Sequence, residues 1–186
     1  MSPAPAHPLE EARIRVLAAA DDRFYECGVA AVTVAEIRDT AGVSLRRLYG
    51  LFPTKADLVA AWLRDRHTTW LAWFANAVGE HIRAGSHPTD AVFDAVGDWL
   101  ASTDFRGCAF LNTLAETASL TEEHRAIIAA HKGALADTLT DFAADPDAVA
   151  VLLDGAIVRS AALRSPEPIE AALRAARQLA PLTGAP

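Results

Sequence analysis

The sequence predicts an all-α protein built in two parts. Three observations carry this expectation. Apolar residues recur at helical spacing along nearly the whole chain, helix start and stop signals punctuate it, and no segment of useful length alternates apolar and polar residues as a strand would. The first helix is expected over about residues 9–27 and the second over 33–40. Thr33 and Glu36 have the T-x-x-E spacing of a capping box, and Val34, Ile37 and Ala41 then give the second helix one apolar face. Gly42 follows where a helix commonly ends in a left-handed residue. Ser44, a preferred N-cap, opens a third helix over 44–50, which Leu48 and Phe52, four apart, can pack against the second. A longer fourth helix starts near Thr54 and carries Leu58, Val59, Trp62, Trp70 and Trp73. Gly85 to Pro88 breaks the pattern, and Thr89–Ala101 resumes it with Val92, Phe93, Val96, Trp99 and Leu100. A weaker break over 103–107 precedes a helix at Cys108–Ala118, and another runs from about Thr121 to Ala144 through Ile127, Ile128, Leu135 and Leu139. Asp145-Pro146 starts the next, since proline is tolerated in a first turn. Ser165-Pro166 and Pro168 separate off a last helix running to about Ala180.

Composition bounds the function. The 186 residues carry a formal net charge of −7, which is awkward for a binder of polyanions. The distribution resolves much of the difficulty. Residues 1–66 hold nine Lys/Arg and nine Asp/Glu, so the excess of acid lies entirely in the remainder. Between Ser44 and Lys55 there are three cations, Arg46, Arg47 and Lys55, and no acid. Affinity for a phosphate backbone depends on the patch that faces it, not on the sum over the molecule. Apolar residues make up 52% of the chain but form no continuous membrane-spanning run, and Met1–Pro8 has no basic region of a signal peptide, so a cytoplasmic protein without a membrane partner is expected. Cys27 and Cys108 show no metal-ligand spacing and are expected to be reduced. His124 and His131 are seven apart, too few for a metal site. There is no nucleophile elbow, glycine-rich phosphate loop or H-E-x-x-H pattern, so no catalytic residue, metal or cofactor is expected.

Two short helices joined by a tight glycine turn, the second presenting Arg46, Arg47 and Tyr49, describe a helix-turn-helix. The two guanidinium groups suit guanine edges and phosphates equally, and sequence does not choose between them. Leu45 fits either a thymine methyl or an inward packing position, and Tyr49 either a phosphate or the core.

The same residues resemble a family. Ala41-Gly42-Val43-Ser44, Leu48-Tyr49, Phe52-Pro53 and Lys55 look like the DNA-binding domain of the tetracycline-repressor (TetR) family of bacterial regulators. Upstream, Val16-Leu17, Ala19-Ala20, Phe24, Gly28 and Val32-Thr33-Val34 resemble that family's first helix and its entry into the second. Arg23, Arg38, Leu45 and Gly50 depart from the usual pattern. The resemblance implies a three-helix DNA-binding domain at 10–69 and an effector-binding and dimerisation domain at 70–182. It implies phosphate contacts from Thr33, Ser44, Tyr49 and Lys55, double-stranded operator DNA as partner, and release by a small-molecule effector. A homodimer is implied too, through a four-helix bundle of the two C-terminal helices. The first of these carries Leu152, Gly155, Ala156, Arg159, Ser160 and Leu163, and the second Ile169, Ala172, Leu173 and Ala176; packing within one chain is the other reading of these small and apolar residues. The effector pocket implied for the second domain would draw on Trp70, Trp73, Phe74, Trp99, Phe105 and Phe110, although an aromatic stripe also reads as ordinary core. Cys108, Asn112 and Glu116 are spaced by four and expected along one helix face. A buried carboxylate there calls for water, a cation or a ligand. The stretch Gly107–Asn112 with Ala115-Glu116 resembles one recurrent in a TetR subgroup. The rival expectation is a helical ligand-binding or enzymatic protein that keeps the helix-turn-helix shape without reading DNA.

Overall fold

Helix boundaries follow the local signals closely. The computed structural model describes residues 8–116 and 120–179. Ala118 and Ala180, expected above in helices, lie outside them, as do residue 182 and residues 1–7. Nine α-helices occur among the described residues: α1 Pro8–Cys27, α2 Val34–Ala41, α3 Leu45–Leu51, α4 Lys55–Arg83, α5 Pro88–Ala101, α6 Ala109–Ala115, α7 Glu122–Thr138, α8 Pro146–Leu163 and α9 Glu167–Leu179. No described residue is in a strand, and no described helix is long and apolar enough to cross a membrane.

Two helices depart from expectation, each for a local reason. The helix expected to reach Ala144 stops at Thr138 and tightens into a 3-10 turn over Leu139–Asp141. The Thr138 hydroxyl donates back to the Ala134 carbonyl at 2.8 Å, a bond that competes with the regular ladder and bends a helix end. The Phe142 carbonyl just beyond accepts from the Thr89 hydroxyl at 2.9 Å, so the exit from the helix is fixed rather than frayed. The α6 helix covers only Ala109–Ala115, so Cys108 and Glu116 flank it instead of sharing a helical face with Asn112.

The described residues divide into two compact units, one drawn from the ranges 1–67 and 112–128 and the other from 68–111 and 129–186. In the first, α1 packs on α2 and α3 through Val16, Leu17, Ala20, Phe24, Ile37, Ala41 and Leu48, all buried. Trp62 of α4 closes this core edge-on against Phe24, ring centroids 5.2 Å apart. Its indole N–H donates at 2.6 Å to Asp21 Oδ1, which also accepts from Arg66, and the Arg66 guanidinium lies 3.9 Å from the Tyr25 ring centroid. One carboxylate thus ties α1 to α4 at two points.

In the second unit α5, α8 and α9 pack together. Val92, Phe93, Val96, Leu153, Ile157, Ile169, Ala172 and Ala176 are its buried centre. Arg177 of α9 holds Asp90 of α5 through both its Nε and a terminal nitrogen, at 2.9 and 2.7 Å. The Arg177 hydrogen bond keeps the Asp90 carboxyl below its ordinary range. The Lys132 ammonium bonds Asp154 at 2.6 Å and lies 3.6 Å from the Cys108 sulfur.

Candidate nucleic-acid interface

The turn between α2 and α3 is built by three local devices. The Thr33 hydroxyl accepts from the Glu36 amide at 3.2 Å, while the Glu36 carboxylate accepts from the Thr33 amide at 2.7 Å and from its hydroxyl at 2.8 Å. Those bonds, the amide one foremost, hold the Glu36 carboxyl below its ordinary range. Gly42 ends α2 at φ 62°, and the bonds from its own N–H to Asp39 O and from Val43 N–H to Arg38 O complete a Schellman motif. Ser44 then caps α3 by accepting from the Arg47 amide at 3.2 Å. A Cβ at Gly42 would meet no atom within 4 Å, so only backbone strain resists substitution. Gly42→Ala is therefore expected to cost about 1–2 kcal/mol of stability, read as a lower denaturation midpoint at unchanged slope.

With Leu48 buried against α2, the seven-residue α3 turns its other side outward. Leu45 is 42% and Tyr49 44% exposed, which settles both as outward-facing. Arg46 and Arg47 are exposed, and among the described residues neither has an ion-pair or hydrogen-bond partner for its guanidinium. By contrast Arg23, Arg38, Arg64 and Arg66 are all engaged by carboxylates. The cationic face of α3 is thus available, whereas these four arginines of the same unit are engaged.

The four residues expected on phosphates sit differently. The Ser44 oxygen accepts from the helix, leaving its hydroxyl proton free to donate. The Thr33 hydroxyl has committed its single proton to Glu36. Tyr49 presents an exposed phenol. Lys55 sends its ammonium to the Val29 carbonyl at 2.6 Å, which occupies one of three donors and fixes the start of α4 against the α1–α2 turn.

Sequence reasoning missed what holds that turn from the other side. The Glu116 carboxylate accepts from the amides of Val29, at 3.0 Å, and Ala30. Glu116 thus belongs to the first unit and meets backbone amides. His124 follows in the same unit. Its Nδ1 faces the Thr121 amide at 3.2 Å and its Nε2 the Ala56 carbonyl at 2.9 Å, a pairing that requires the neutral Nε2–H tautomer. No signal within either local segment points to these pairings, because the partners lie 87 and 68 residues apart.

The aromatic residues expected around an effector gather in the second unit. Trp70 stacks on Phe74 with centroids 5.1 Å apart and meets Trp99 and His131 edge-on at 5.7 and 5.5 Å. Trp73 lies 6.0 Å from Trp70, Phe105 5.0 Å from Trp99, and Phe110 stacks on His131 at 3.6 Å. Cys108 is buried and Asn112, which falls in the first unit, is exposed. Of the residues expected at a dimer interface, Ala156, Ser160, Ile169, Ala172 and Ala176 are buried within the chain, Leu152 and Leu173 are half-buried, and Gly155, Arg159 and Leu163 are exposed. No group of His, Cys, Asp and Glu among the described residues is arranged to hold a metal ion.

Comparison with known proteins bears on this arrangement. The family described as "Bacterial regulatory proteins, tetR family" matches residues 16–62. The HTH-type transcriptional regulator TtgR of Pseudomonas putida is 42% identical over 60 residues, 32% of this chain and 29% of TtgR. The probable regulator ArpR of Pseudomonas putida matches to the same extent, so the chain matches under a third of the length of these curated relatives. Over nearly the whole chain, the crystal structure of a TetR-family transcriptional regulator from Streptomyces coelicolor is similar at 31% identity and a TM-score of 0.73, covering 90% of this chain and 96% of that one. The regulatory protein TetR from Rhodobacter sphaeroides shares the fold at a TM-score of 0.74 and 22% identity, covering 90% of this chain and 97% of its own. With the helix-turn-helix in place and the likeness extending through the C-terminal helices, the chain belongs to the TetR family of bacterial transcriptional regulators.

Proposed function

We propose that this regulator is a homodimeric repressor that holds double-stranded operator DNA through α3 and leaves it when a small molecule binds the second unit. Residues 10–69 read DNA in this proposal, and 70–182 bind effector and dimerise. The single observation that carries it is the outward face of α3, where Arg46 and Arg47 stand unengaged beside exposed Leu45 and Tyr49. The arginines supply base-edge or phosphate donors, Leu45 an apolar surface for a thymine methyl, and Ser44, Tyr49 and Lys55 the flanking phosphate contacts.

A dimer is supported by the outer face of α8 and α9. Val151 and Val158, seven apart on α8, are 71% and 52% exposed. Val151 lines a groove of about 730 Å³ together with Gly155, Leu163, Arg159 and Arg174 and with Glu167 and Glu170. Apolar residues mixed with both signs of charge suit a two-fold interface, where each patch meets its own copy. Two recognition helices related by that axis would meet successive major grooves about 34–36 Å apart. An effector acts by favouring the conformation in which that spacing is lost.

The effector site is supported by the aromatic cluster and by two orphaned polar atoms. Trp70 Nε1 and Ser160 Oγ are buried with no hydrogen-bond partner among the described residues. Ser160 lines a cleft of about 730 Å³ together with Phe105, Arg106 and Arg164. Unpaired buried donors call for an acceptor, so an aromatic or amphipathic molecule bearing oxygen acceptors fits this unit.

The test is selection of duplexes from a random-sequence pool, followed by affinity measurements at several salt concentrations. A single enriched pseudo-palindrome, bound with a steep inverse dependence on salt, is the expected outcome. Failure to enrich any sequence overturns the proposal.

A further inference from the structure

The α1–α2 turn is gripped more tightly than a surface turn requires. Gly28 ends α1 at φ 83°, and a Cβ placed on it would lie 2.8 Å from Glu116 Oε1, so the carboxylate occupies the space that any other side chain would need. Both oxygens are used: Oε1 accepts from the Val29 amide and Oε2 from the Ala30 amide. The carbonyl of the same Val29 accepts from Lys55 at the first turn of α4. Val29 is itself buried, and its two backbone polar groups are therefore fixed by charged partners from two different segments. A second bond from the same stretch as Glu116, that of His124 to the Ala56 carbonyl, fixes the α4 backbone one residue beyond Lys55. Thr33, the N-cap of α2, follows Ala30 by three residues, and α3 is joined to α2 through the short Gly42 turn.

We propose that Glu116 is a positioning residue for DNA reading: its grip on Val29 and Ala30 sets the angle at which α2 and α3 leave α1, and so controls sequence-specific affinity without touching DNA. The inference rests on the assignment of α3 as the DNA-reading helix. Base-edge hydrogen bonds carry the sequence information and weaken steeply when donor and acceptor are misaligned, whereas phosphate contacts carry none and flexible cations can follow a small rotation of the helix. Loosening the grip therefore costs specific binding and leaves non-specific binding in place. Electrostatics alone gives the opposite sign, because removing a carboxylate from a unit that faces a polyanion strengthens binding.

The test uses full-length Glu116→Gln, which keeps the side-chain shape, offers one acceptor in place of two, and removes the charge. The probes are the duplex enriched by the wild-type protein and a scrambled duplex of equal length and composition, at one salt concentration. Exchange of the Val29 and Ala30 amides is followed in parallel. The expected result is faster exchange at both amides, a loss of affinity for the selected duplex of about tenfold, and scrambled-duplex affinity unchanged or slightly raised. Glu116→Asp, which keeps the charge but shortens the reach, is expected to lose affinity as well; it also serves if the glutamine variant does not fold. Faster exchange with undiminished affinity for the selected duplex makes Glu116 merely structural and overturns the proposal, as does unchanged exchange. Equal losses on both duplexes also overturn it. A wild-type protein that enriches no sequence overturns the DNA-reading assignment itself, and the role of Glu116 with it, before any variant is compared.

Discussion

Replacing Arg46 and Arg47 together by alanine is expected to abolish sequence-specific DNA binding while leaving the fold intact. Each bidentate contact to a base edge is worth about 1–3 kcal/mol, so losing two weakens the complex by roughly 30-fold to 10⁴-fold. The helix itself does not depend on these side chains. Both are exposed and without carboxylate partners among the described residues, and alanine is the better helix former. Operator affinity at fixed salt and far-UV circular dichroism, measured on the same preparation, check both halves. An unaltered affinity in a folded double variant removes α3 from the interface.

The second large effect concerns assembly, and the structure changes which residues should be altered. Ala156 looks from sequence like a contact between subunits, yet it is only 3% exposed within the chain. Arginine there would disrupt the protomer and reveal little about dimerisation. Val151 and Val158 are the better probes, because a charge at either meets solvent in the isolated chain. The double variant Val151→Glu/Val158→Glu is expected to sediment as a folded monomer at micromolar concentration. Its affinity for a two-half-site duplex should fall by about 10²–10⁴-fold, since the second half-site no longer gains from tethering. A variant that remains dimeric moves the interface away from this face of α8.

These predictions draw unequally on sequence. The signals that fixed the helix ends act over three to five residues: Thr33 with Glu36, Gly42 after Ala41, and Asp145 before Pro146. Such signals survive in almost any tertiary setting, which is why α1 to α3 and the turn between α2 and α3 were legible. Thr138 shows the limit, since its hydroxyl could point to solvent or back to Ala134, and that choice ends α7 early. Periodicity assigned faces to helices but not partners to faces. α8 is apolar on more than one side, so spacing alone could not tell Ala156 and Ser160, turned into the chain, from Val151 and Val158, turned out of it. Least legible were the polar contacts of charged side chains between distant segments. Asp21 with Arg66, Arg177 with Asp90 and Glu116 with the Val29 amide depend on how segments 45 to 87 residues apart meet.

The placement of the four tryptophans gives the molecule two optical channels. Trp62 alone belongs to the first unit, enclosed beside Phe24 with its indole N–H bound to the Asp21 carboxylate. Trp70, Trp73 and Trp99 form one close group in the second, with ring centroids 5.7 to 6.3 Å apart for the pairs that involve Trp99. The three indoles thus share one environment of neighbouring rings, distinct from that of Trp62. A Trp62→Phe chain therefore reports only on the second unit, and a chain with the trio replaced by phenylalanine reports only on the first. Events in the two halves of the regulator can then be timed separately in the same spectrometer without attaching a dye.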